Sequence, residues 1–202
     1  MLRNRKHIRL HGFDYASKGS YFITICTKDR LNFLGEIENK KFEFSPIGAI
    51  AYTYWNQIPK HFSHVRLGEF VIMPNHIHGI IEIVDSVGTR HGVSQHGVSQ
   101  HGVSQHGVSQ HGVSQQNDVT NPTTNNNQNQ FGKTIPGSIS AVIGQFKSSV
   151  TRWCNKNDLI FAWQSRFYDN IIRNKTAFHR IEEYIKNNVA NWDEDKFFNE
   201  NV

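Results

Sequence analysis

Hydrophobic and polar positions alternate from Tyr21 to Thr27, which predicts a β-strand with one face buried. Leu34 to Ile37, after the polar turn Lys28-Asp29-Arg30, is the expected short partner strand. Ser45-Pro46 then opens a helix, with serine at the cap and proline in the first turn. Its apolar positions Ile47, Ile50, Ala51, Tyr54, Trp55 and Ile58 recur at three- and four-residue spacing. Val65 to Met73 and His76 to Val84 are two further strands, divided by Pro74-Asn75. Ser138 caps a second helix, whose stripe is Ile139, Val142, Ile143, Phe146, Val150 and Trp153. The apolar stretches Leu159 to Trp163 and Phe167 to Ile172 precede a last helix, roughly Lys175 to Ala190. Phe178, Ile181, Ile185, Val189 and Trp192 form its expected buried stripe. Irregular alternation of strands and helices with one hairpin-like pair predicts an α+β domain, an antiparallel sheet covered by helices.

One stretch breaks this pattern. Residues 91 to 115 repeat His-Gly-Val-Ser-Gln five times, and an Asn-, Gln- and Thr-rich run continues to Gln130. So little apolar surface cannot offset the entropy of ordering the chain, which predicts a disordered insertion. The expected organisation is therefore a basic arm (1–19), one domain in two pieces (20–85 and 134–192), a low-complexity insertion (86–133) and a C-terminal tail (193–202). The repeat histidines His91, His96, His101, His106 and His111 follow from duplication of a short unit and are set apart from any site.

The formal net charge of +5 points to a polyanionic partner, and Arg3, Arg5, Lys6 and Arg9 concentrate the excess at the start. Lys147, Arg152 and Lys156 on the second helix read most simply as a solvated face. Cys26 and Cys154 stand without any Cys-x-x-Cys, which excludes a zinc knuckle or disulfide framework and suits a reduced cytoplasm. No apolar run reaches the roughly 18 residues of a membrane span, and the N-terminus lacks a signal-peptide core, so no membrane partner is expected.

Chemistry concentrates in Met73-Pro74-Asn75-His76-Ile77-His78-Gly79-Ile80. Strand alternation sends His76 and His78 to one face and Ile77, Gly79, Ile81 and Ile83 to the other. Two imidazoles on one face can grip a transition metal, yet they are too few for a closed structural zinc site. Open coordination positions remain, as a catalytic metal requires. Packed or solvated histidines produce the same pattern. A histidine-triad hydrolase would have a third histidine where Ile80 stands, and a cupin would replace the helices with many short strands. On the last helix Tyr184 and Asn188 share one side by their i, i+4 spacing, although a helix-edge tyrosine ordinarily packs and a late asparagine ordinarily caps. Tyr21 and Tyr168 read as packing residues.

These elements together resemble the REP-associated tyrosine transposases, relatives of the single-tyrosine transposases of small bacterial insertion sequences. The resemblance rests on Gly19 to Thr27, Val71 to Ile80, Gln145-Phe146-Lys147-Ser148, Trp163-Gln164, Phe167-Tyr168-Asp169, Ile172-Arg173 and Tyr184 to Asn188, in this order. Histidine-hydrophobe-histidine alone is shared with rolling-circle initiators and relaxases. Met-Pro-Asn before it and the late Tyr-x-x-x-Asn make the combination specific. The resemblance implies a ferredoxin-like sheet with the histidines on a central strand. By position it makes His76, His78 and Asn188 metal ligands for Mg²⁺ or Mn²⁺, and Tyr184 the nucleophile on a C-terminal helix. The expected partner is single-stranded DNA with palindromic hairpins, cut to a 5′-phosphotyrosine and a free 3′-hydroxyl. Arg3, Arg5, Lys6 and Arg9 are the DNA-gripping candidates, with Lys147 and Arg152 secondary, and a homodimer is left open. Val189 stands where the family commonly has proline, and the repeat insertion is atypical. Two other readings remain, a domesticated DNA-binding protein that has lost transposition and an initiator- or relaxase-like nuclease. The intact Tyr184, His76 and His78 argue against lost chemistry.

Overall fold

Polar caps set where the helices begin. In the computed structural model, which describes residues 14–84 and 135–198, the Ser45 hydroxyl accepts from the Gly48 amide at 3.0 Å and starts α1 (Pro46–His61). Ser138 accepts from Ala141 and starts α2 (Ile139–Lys156). Asn174 accepts from Ala177 at 2.8 Å and starts α3 (Lys175–Asn187). Each satisfies an amide that a helix N-terminus otherwise leaves unpaired. The strands are β1 (Gly19–Cys26), β2 (Gly35–Glu38), β3 (Lys41–Phe44), β4 (Val65–Met73), β5 (His76–Ile83) and β6 (Tyr168–Ile172). The basic arm residues Arg3, Arg5, Lys6 and Arg9 and the repeat insertion lie outside the described residues.

Four strands make one antiparallel sheet in the order β4-β5-β1-β6. With β2 and β3 set aside, the succession strand-helix-strand-strand-helix-strand is the ferredoxin-like α+β arrangement. The register Cys26↔His76, Thr24↔His78 and Ile25↔Ile77 sorts the side chains into two faces. Tyr21, Ile23, Ile25, Ile77 and Ile81 form the core with Trp55 and Ala51 of α1 and Val142, Ile143 and Phe146 of α2. The opposite face carries both histidines and a smaller cluster of Cys26, Met73, Trp192 and Phe197. No helix among the described residues is long and apolar enough to cross a membrane.

Three details depart from the sequence expectation. The segment expected to pair as a short partner of β1 pairs with β3 instead, because β5 and β6 occupy both edges of β1. Asn39 and Lys40, at φ 50° and 60°, form the two-residue turn of that hairpin; both are left-handed, which suits strand twist but is not signalled by an Asn-Lys pair. Phe167 to Ile172 contributes the edge strand β6. The last helix stops at Asn187, and Trp192 belongs to a separate 3-10 turn, Trp192–Glu194.

Gly79 lets α1 reach the sheet beside the histidines, since a Cβ there would lie 2.4 Å from Cζ2 of the fully buried Trp55. Gly79→Ala is expected to cost about 1–3 kcal/mol of stability, the range for overpacking a filled core. Urea unfolding checks this; an unchanged midpoint would contradict the close packing.

Candidate active site

β5 lies between β4 and β1, so both neighbours shield it, and His76 and His78 have no solvent exposure. A buried imidazole needs partners for its ring nitrogens. Nδ1 of His76 lies 2.9 Å from Oδ1 of Asn75. Because the Asn75 amide nitrogen already donates to the carbonyls of Phe197 (2.9 Å) and Arg30 (3.2 Å), its oxygen must accept, and His76 carries its proton on Nδ1. Nε2 of His76 is thereby an acceptor, and it is buried with no hydrogen-bond partner. Nδ1 of His78 meets the Thr24 hydroxyl at 2.9 Å, which can serve either tautomer. The sheet register places Thr24 directly opposite His78.

Burial holds both imidazoles neutral. It pushes the His76 pKa down to about 3, assisted by the charges of Lys196 and Arg30. Burial also drives His78 well below its usual value, with His76 adding to the effect and Asp195 opposing it. Neutral imidazole is the form that binds a metal, and His76 offers an Nε2 without a hydrogen-bond partner.

The phenol oxygen of Tyr184, on α3, lies 3.1 Å from Nε2 of His78 and donates to Oδ2 of Asp195 at 3.2 Å. Asp195 also accepts from the side-chain amide of Asn188 at 3.3 Å and from the Phe197 backbone at 2.7 Å. Oδ1 of Asn188 is buried without a partner. Burial, then the charge of Asp195, raises the Tyr184 pKa, so the phenol is protonated although the residue is 41% exposed. The helix thus presents an exposed tyrosine whose hydroxyl lies over a buried polar floor.

Ligand atoms of His76, His78 and Asp195 lie within 4.8 Å of one another. Nε2 of His76 is a buried acceptor without a partner, as is Oδ1 of Asn188, whose amide nitrogen binds Asp195. A divalent cation fits this donor set, and the carboxylate adds the hard oxygen that Mg²⁺ or Mn²⁺ favours.

The structure brings His76, His78, Tyr184 and Asn188 together. Asn188 keeps helical angles (φ −62°, ψ −42°) and is 3% exposed even though Val189 follows it. Lys147 and Arg152 stand elsewhere. The Lys147 ammonium donates to the carbonyls of Gln164 and Arg166, and Arg152 borders a groove between α1 and α2, helices that pack on the sheet face opposite the histidines. Asp195, Asn75 and Thr24 are the additions. Asp195 lies beyond the last helix, in the stretch expected to be a tail, yet Trp192 and Phe197 are buried there and the Phe197 ring packs 4.5 Å from His76. Asn75 stands next to the histidines in sequence; that adjacency was the available signal.

No family model matches the chain. The chain belongs to the same family as an uncharacterised protein of Haemophilus influenzae, to which it is 35% identical over 198 residues, 98% of this chain and 94% of that protein. Its fold is that of the REP-associated tyrosine transposase solved bound to a REP hairpin, with a TM-score of 0.53 at 15% identity over 93% of this chain and 77% of the other. The likeness drawn from the motifs holds at the level of the fold.

Asn75→Ala would strand the carbonyls of Arg30 and Phe197 and the Nδ1 proton of His76. The expected loss is about 2–4 kcal/mol, with early loosening of residues 192–198. Hydrogen exchange of the Phe197 and Phe198 amides against the β1 amides reads this directly, and equal protection in both variants would contradict the anchoring role.

Proposed function

We propose that the protein is a metal-dependent transposase that cleaves and rejoins single-stranded, hairpin-forming DNA through a 5′-phosphotyrosine. The observation that carries this reading is Tyr184, an exposed residue whose hydroxyl lies 3.1 Å from Nε2 of His78, in a site where Nε2 of His76 and Oδ1 of Asn188 have no partner. The shared fold supports it, because the solved transposase holds a REP hairpin.

In this reading His76, His78, Asn188 and Asp195 would hold Mg²⁺ or Mn²⁺, and such an ion would supply positive charge that offsets the charge developing at the scissile phosphate. The phenol oxygen of Tyr184 bonds to phosphorus, the bond from phosphorus to the 3′ oxygen breaks, and that oxygen takes a proton from water to leave as the 3′-hydroxyl. The phenol proton departs toward Oδ2 of Asp195, which already accepts it. Help is needed because the Tyr184 pKa is raised in the protein by itself. Attack of the 3′-hydroxyl on the phosphotyrosine reverses the step and rejoins strands without a nucleotide cofactor. Arg3, Arg5, Lys6 and Arg9 are assigned to phosphate contacts, whereas Lys147 serves mainly to tie α2 to the 164–166 segment.

His76→Ala is expected to weaken Mn²⁺ binding more than tenfold, Asp195→Ala to do so less, and Asn188→Ala least, since water replaces an amide oxygen readily. Calorimetric titration ranks them; equal affinity in wild type and His76→Ala would sink the site.

Tyr184→Phe should abolish the covalent adduct with a labelled hairpin oligonucleotide while leaving metal and DNA affinity within about twofold, because only the phenolic oxygen is removed. Mass spectrometry locates the adduct. Its appearance on another tyrosine would overturn the assignment.

A further inference from the structure

Beside Tyr184 a cleft is lined by Phe22 of β1, and the sheet continues from there with open aromatic surface. Thr24 pairs with His78 on one side and with Tyr168 of β6 on the other, so His78, Thr24 and Tyr168 form one row across the sheet on the same face. At the usual strand spacing, Tyr168 stands about 10 Å from His78. Phe22 occupies the adjacent row, opposite Asn170. Tyr168 is 47% exposed, Asn170 is exposed and Phe22 is half-buried. The packing role expected of Tyr168 is therefore not what the structure gives it. Phe22 stacks on the His78 ring at 5.2 Å and 28° and meets the Tyr184 ring edge-on at 6.1 Å. An aromatic surface thus runs from the nucleophile toward the β6 edge.

Aromatic side chains on an open sheet face are a recurrent seat for unstacked nucleobases, since every base offers a π face. Charge by itself does not provide the grip here. Glu183 and Glu194 share the cleft rim with Arg180 and Lys196, so carboxylates offset the cations. Stacking is the attraction that this surface supplies in excess.

We propose that Phe22 and Tyr168 form a stacking platform for the unpaired strand, each holding a base near the phosphate that faces Tyr184. The inference rests on the DNA-cleaving reading above and adds how the strand is positioned. It also gives the exposed Tyr168 ring a use that core packing does not.

The test uses a hairpin oligonucleotide with a single-stranded flank carrying 2-aminopurine, in turn, at each position near the cleaved bond. Tyr184→Phe in the full chain prevents turnover. Fluorescence quenching is expected at one or two neighbouring positions. Adding Phe22→Leu or Tyr168→Leu should remove the quenching at one position each and weaken binding about tenfold, the order for one lost stacked base. Tyr168→Phe should restore both, because the ring and not the hydroxyl acts. Manganese affinity, measured in parallel, should stay unchanged in Tyr168→Leu. Unchanged quenching and affinity in both leucine variants would overturn the platform. So would loss of metal affinity in step with DNA affinity in Phe22→Leu, which would mean that its ring only props His78. Adduct formation by the wild type on the same oligonucleotide is scored separately. An adduct with unaltered leucine variants defeats the platform alone, whereas quenching without any wild-type adduct defeats the cleavage reading alone.

Discussion

Two imidazoles without solvent exposure on the central strand β5 are the constraint on which the rest of the site depends. A buried polar group without a partner costs roughly 1–3 kcal/mol, so each ring must be met by the protein on at least one nitrogen. Asn75 and Thr24 meet the two Nδ1 atoms, which leaves Nε2 of His78 to the Tyr184 hydroxyl and Nε2 of His76 without a partner. Within the site, Nε2 of His76 and Oδ1 of Asn188 are buried acceptors without a hydrogen-bond partner. Together with the carboxylate of Asp195, whose oxygen lies within 4.8 Å of a ligand atom of each histidine, they make a polar floor beneath Tyr184.

Asn75 joins the site to the frame. Its single amide binds His76, the turn at Arg30 and the segment at Phe197, three places far apart in sequence. The Arg30 guanidinium lies 5.0 Å over the Phe197 ring and donates to the Lys196 carbonyl at 3.3 Å, so the same turn also clamps the last described segment. Asp195 reaches Tyr184 because Trp192 and Phe197 bury on either side of it. Packing on the histidine face thus aims a carboxylate, while packing on the opposite face positions α1 and α2. The alternation of one strand separates the two tasks.

Much of this was legible in the chain. Three- and four-residue apolar spacing and the serine caps predict α1 and α2, and the alternation of β5 predicts which face carries the histidines. The i, i+4 spacing of Tyr184 and Asn188 aims both side chains the same way, and both reach Oδ2 of Asp195. These are local properties, set by periods of 3.6 and 2.0 residues and by backbone hydrogen bonding within a few positions. The Asn39-Lys40 turn was not legible, because left-handed angles at those residues come from the pairing of β2 with β3.

The sequence by itself therefore determined the elements, the two faces of β5 and the chemical types available for a site. Only the tertiary structure decided which groups meet. Thr24 faces His78 across a strand pair separated by 54 positions, and Asp195 faces Tyr184 from beyond the helix end. Tyr168 faces solvent because β6 lies at the sheet edge. Register and edge position arise from long-range strand pairing and helix packing, which reward the burial of whole faces and leave no periodic trace at the residues they bring together.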